Sequence, residues 1–79
     1  MISWAPPSIG NDEKKSIVHV LNSGWLSQGN ITESLEKELA NYIGVKYVVV
    51  TNNGTSALMS SLLAHDVKPG DEVIVPDLT

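Results

Sequence analysis

The chain has 79 residues, a net charge of −4 and no cysteine, which limits it to one domain and excludes disulfides and thiolate metal sites. Five scattered lysines and no arginine form no basic patch, so neither nucleic acid nor an anionic membrane is an expected partner. The 42% hydrophobic content is that of a globular protein, yet none of the usual staples of a small fold is present.

Taken in chain order, the residues before Gly10 carry Pro6-Pro7 and read as an extended arm without the basic-then-apolar plan of a signal peptide. No apolar run is long enough to span a bilayer, and the expected location is cytoplasmic. Asn11-Asp12-Glu13 supplies a cap and first-turn acids for a helix whose apolar stripe is Ile17, Val18, Val20 and Leu21 and whose end is Ser23-Gly24. A short loop follows, Trp25-Leu26-Ser27-Gln28-Gly29. Asn30 with Glu33 has the spacing of a capping box and opens a second helix with the stripe Leu35, Leu39, Tyr42 and Ile43, stopped by Gly44.

Val45–Thr51 is a near-continuous Val/Tyr run, the pattern of a strand buried on both faces in a parallel sheet. A third helix is expected from Thr55 to Ala64. Lys68-Pro69-Gly70-Asp71 has the residue order of a type II turn, and Glu72–Val75 reads as a second strand ended by Pro76. The predicted order is two helices and then β-α-β, which makes the fold class α/β.

The junction at Asn52-Asn53-Gly54-Thr55-Ser56 is the most chemically suggestive stretch. A helix opening just after a strand aims free backbone N–H groups outward, and its dipole adds roughly half a positive charge there. Gly54 permits close approach to the backbone, while the Thr55 and Ser56 hydroxyls can donate beside the amides. No lysine lies between Tyr47 and Val67, so a phosphate or similar compact anion would be held by dipoles. The competing reading is an ordinary helix cap made by Asn53 or Thr55.

Several of these landmarks together resemble the N-terminal part of the sugar aminotransferases of the DegT/StrS kind, pyridoxal-phosphate (PLP) enzymes of fold type I. They are the Pro-rich arm, Leu21–Gly29 with its Ser-Gly-Trp-Leu core, Glu33–Gly44 ending in Tyr-Ile-Gly, Asn52–Leu58, and Lys68–Pro76. The resemblance runs along nearly the whole chain and rests on the order and spacing of these motifs. It implies a helical hairpin followed by the β-α-β start of the large domain. The arm and two helices would occupy residues 1–44, and the strand-helix-strand part residues 45–79.

The resemblance also implies the chemistry. An amino group passes from an amino acid, usually glutamate, to a keto group of a nucleotide-linked sugar, in a full-length protein that is a homodimer. Pyridoxal 5′-phosphate supplies the electron sink. Gly54, Thr55 and Ser56 are the implied cofactor-phosphate residues, and Trp25 and Ser27 the implied substrate contacts; an anchor between the first two helices is the other reading of Trp25. None of Lys14, Lys15, Lys37, Lys46 or Lys68 sits in a motif matching the family's Schiff-base lysine. No catalytic residue and no metal ligand is therefore assigned. The chain reads as roughly the first fifth of such an enzyme and is expected to be inactive alone.

Two other functions compete: a stand-alone, non-catalytic phosphate- or nucleotide-binding α/β module, and an interaction piece docking through its helices. Asn52-Asn53-Gly54-Thr55 lacks the second glycine and the lysine of a Walker loop. Topology divides the expectations as well. General rules make the two strands adjacent and parallel in a right-handed βαβ unit. The resemblance instead puts them in one sheet without being neighbours, which would leave apolar edges exposed and the isolated chain prone to aggregate. His19 and His65 have no carboxylate or nucleophile at useful spacing and read as structural or surface residues.

Overall fold

The computed structural model describes residues 2–78. Its regular structure is three helices, α1 (Asn11–Ser23), α2 (Asn30–Ile43) and α3 (Gly54–Ala64). The chain divides into two units between Leu35 and Glu36, within α2.

In the first unit, α1 begins one residue earlier than a cap at Asn11 would place it. Gly10 is the flanking residue, extended at φ −109°, and its N–H donates to Glu13 Oε2 at 2.7 Å. The Glu13 side chain thus satisfies a backbone donor that the helix leaves without a partner. Hydrogen bonds from Glu13's own N–H and from Gly10 hold the Glu13 carboxyl below its ordinary value. At the other end Gly24 adopts φ 71° and its N–H donates to the Leu21 carbonyl, a left-handed stop that glycine makes without strain. The Asn30–Glu33 capping box is not formed. Asn30 is already helical, and the Glu33 N–H donates to the Gly29 carbonyl at 3.1 Å, so Gly29 flanks the start of α2.

In the second unit, Gly44 closes α2 at φ 81°, with the N–H groups of Gly44 and Val45 both donating to the Ala40 carbonyl. Helix α3 ends at His65, whose Nδ1 lies 2.8 Å from the Ser61 carbonyl oxygen. Gly70 has φ 99° and the Asp71 N–H donates to the Lys68 carbonyl at 3.0 Å, as a type II turn requires.

The expected α/β class is overturned. Among the described residues there is no strand and no sheet, so the β-α-β start of a large domain is not formed. A strand is defined by its ladder, and no backbone hydrogen bond joins residues 45–51 to residues 72–75. Burial on both faces of the Val/Tyr run is absent too. Val48 and Val50 are half-buried, but Tyr47 is 76% and Val49 80% exposed.

What the described residues lack is a core. Ala40 is the only buried residue among them, and the stripe residues Ile17, Val18, Leu21, Leu35 and Ile43 all stay exposed. No helix of the described residues is long and apolar enough to cross a membrane.

Candidate functional site

Two features among the described residues are candidates for holding a ligand, one in each unit. The first is the turn that opens α3. Asn53 stands just outside the helix in an extended conformation, and its Oδ1 accepts from the Ser56 N–H at 2.8 Å. The Thr51 hydroxyl donates to the Asn53 carbonyl at 2.8 Å and braces the same turn. The cap reading of Asn53 is therefore correct, and it accounts for the Ser56 N–H. It leaves two backbone donors over. The N–H groups of Gly54 and Thr55 have no acceptor among the described residues, and neither do the Thr55 and Ser56 hydroxyls. A Cβ built on Gly54 meets nothing within 4 Å, so the backbone there is open to a ligand. Two free amides, two hydroxyls and a helix dipole form a donor set without charge that fits a phosphate.

The second feature is a cavity of about 660 Å³ in the first unit, lined among others by His19, Ser23, Trp25, Ser27, Asn30 and Thr32. Its shape comes from the Trp25–Gly29 loop. The Trp25 N–H donates to Ser23 Oγ at 3.2 Å, and the indole Nε1–H donates to the Gln28 carbonyl at 3.0 Å. The ring lies directly against Gly29, where an added Cβ would come within 2.5 Å of Nε1. Trp25 remains 65% exposed, so it is fixed by its own loop rather than buried as an anchor between helices. None of the lining residues is Asp, Glu, Lys or Arg. The lining combines an aromatic face and aliphatic side chains with hydroxyl, amide and imidazole groups.

The structure thus brings Trp25 and Ser27 to one cavity and Gly54, Thr55 and Ser56 to one turn. His19, which sequence spacing set aside, lines the cavity beside them; its only sequence signal was a polar residue between the apolar Val18 and Val20. Among the described residues no group of His, Asp and Glu could hold a metal ion.

The profile of the DegT/DnrJ/EryC1/StrS aminotransferase family matches residues 7–79. The chain is 41% identical over 78 residues to the spore coat polysaccharide biosynthesis protein SpsC of Bacillus subtilis, covering 99% of this chain and 20% of that protein. It is 42% identical over 79 residues to the GDP-perosamine synthase of Caulobacter vibrioides, covering 99% of this chain and 21% of that one. The chain therefore spans about a fifth of the length of the curated relatives it matches. No solved structure matches it.

Proposed function

The chain belongs to the DegT/DnrJ/EryC1/StrS aminotransferase family, and from that membership we propose that its residues 51–56 hold the phosphate of pyridoxal 5′-phosphate in an enzyme acting on nucleotide-linked sugars. The observation that carries this reading is the Gly54–Thr55 pair of free backbone donors at the opening of α3. Gly54 and Thr55 bind through their N–H groups, and Thr55 and Ser56 through their hydroxyls. Asn53 holds the Ser56 N–H and keeps the turn in shape. When bound, the cofactor supplies an electron sink for moving an amino group. The expected donor is an amino acid, glutamate first, and the acceptor a keto group on the sugar.

Trp25 and Ser27 belong to the substrate side of this reading. An indole face with hydroxyl and amide groups around it suits a sugar ring, and a lining without cations does not suit a diphosphate. The relative named GDP-perosamine synthase supports a nucleotide sugar as the substrate class. The activity is that of the whole protein, proposed as a homodimer, and the five lysines of these 79 residues are given no bond-forming role. Alone, the 79-residue chain is expected to transfer no amino group.

The test is affinity for the phosphate. In the protein as the cell makes it, Thr55→Ala should weaken binding of pyridoxal phosphate by roughly tenfold or more, as loss of a hydrogen bond to a charged group does. Binding of pyridoxal, which has the same ring and no phosphate, should not change. Unchanged affinity for pyridoxal phosphate would overturn the assignment.

A further inference from the structure

We infer that Glu36 is a positioning residue for the anion-binding turn, an assignment that rests on the cofactor-phosphate reading of residues 51–56. The Val50 N–H donates to Glu36 Oε1 at 3.0 Å, across 14 residues of sequence. Every other side-chain hydrogen bond among the described residues joins partners no more than four apart. Both residues are half-buried in a chain whose side chains are otherwise largely exposed.

The location of this bond gives it its consequence. Val50 immediately precedes Thr51, whose hydroxyl holds Asn53, and Asn53 in turn holds the Ser56 N–H. These two local bonds define the turn's internal shape but tie it to nothing outside residues 51–56. The Glu36 carboxylate ties the residue leading into the turn to α2, a 14-residue helix. A charge-assisted bond to a backbone N–H is stronger than a neutral one, and a donor set must be held in place to favour its anion. Glu36 never touches the ligand in this scheme. It acts by fixing where Gly54 and Thr55 present their N–H groups.

The experiment compares Glu36→Ala, Glu36→Gln and Thr55→Ala in the protein as the cell makes it. Two quantities are read: affinity for pyridoxal phosphate against pyridoxal, and amide hydrogen exchange of the peptide containing Val50. Glu36→Ala should weaken pyridoxal phosphate about tenfold, leave pyridoxal unchanged and speed Val50 exchange by a similar factor. Glu36→Gln should restore most of both, because its amide oxygen still accepts although without the charge. Should Glu36→Ala fail to fold, Glu36→Met, which keeps the apolar stem and loses the acceptor, carries the same expectation. Equal weakening of both ligands, or failure of Glu36→Gln to rescue, would overturn the role. If Thr55→Ala weakens pyridoxal phosphate and Glu36→Ala does not, Glu36 alone loses its role. If Thr55→Ala is silent, the phosphate reading falls first.

Discussion

Trp25 and Gly29 are locked together: the indole Nε1 occupies space within 2.5 Å of where a Cβ on residue 29 would stand, and the same nitrogen donates to the Gln28 carbonyl. Gly29 is needed here for space. Gly29→Ala should expel the ring and break its bond to Gln28, at a cost of about 1 kcal/mol for the lost hydrogen bond, because the exposed ring can swing into solvent. In the isolated 79-residue chain carrying Trp4→Phe the remaining tryptophan emission is that of Trp25, and its maximum should shift to the red. An unchanged spectrum would rule out this packing.

At Gly54 stability and binding should separate. No atom lies within 4 Å of an added Cβ, and alanine is the better helix former. Gly54→Ala should leave melting unchanged or raise stability by less than about 1 kcal/mol. The added methyl should nevertheless obstruct approach to the backbone and reduce affinity for pyridoxal phosphate. A variant that binds it as the parent does would show that the ligand does not approach at this residue.

The Asn53 cap should behave in the opposite way. Asn53→Ala removes the acceptor of the Ser56 N–H and should destabilise α3 by about 1 kcal/mol. Asn53→Asp, which keeps an acceptor, should retain the stability. Urea denaturation of the three proteins checks both expectations.

The Glu13–Gly10 bond predicts a pH dependence at the start of α1. Its two backbone donors depress the Glu13 pKa below the ordinary 4.5, so folding favours the ionised form. The stabilisation is fully present above that value and is lost as pH falls through the lower folded-state pKa. The Gly10 amide shift, followed by NMR from pH 6 downward, should titrate with a midpoint below the ordinary glutamate value. A midpoint at or above it would contradict the bond.

The exposed apolar surface predicts the behaviour of the isolated 79-residue chain. With Trp4, Leu26, Val49 and Ile74 each at least 70% exposed, it should bind a hydrophobic dye and sediment as a concentration-dependent associating species. A dye-silent monomer at high concentration would mean that the chain covers these side chains by itself.

The sequence by itself determined the three helices, the stops at Gly24 and Gly44 and the Lys68–Asp71 turn, because each depends on hydrogen bonds spanning a few residues and on the φ that a given residue tolerates; for the α3 cap it left Asn53 and Thr55 both open. It also carried the family, since ordered motifs survive without any knowledge of contacts. The order of motifs likewise picked out Gly54, Thr55 and Ser56, although not that Asn53 would take the Ser56 N–H and leave the other two free. Tertiary structure alone decided what became of Val45–Thr51. Valines and a tyrosine record which side chains suit a pleated surface, but a ladder needs a partner distant in sequence, and composition does not encode one. The Glu36 carboxylate, 14 residues away on α2, meets the Val50 N–H instead, a contact that depends on how the chain turns between Ile43 and Val50 and on no motif within it.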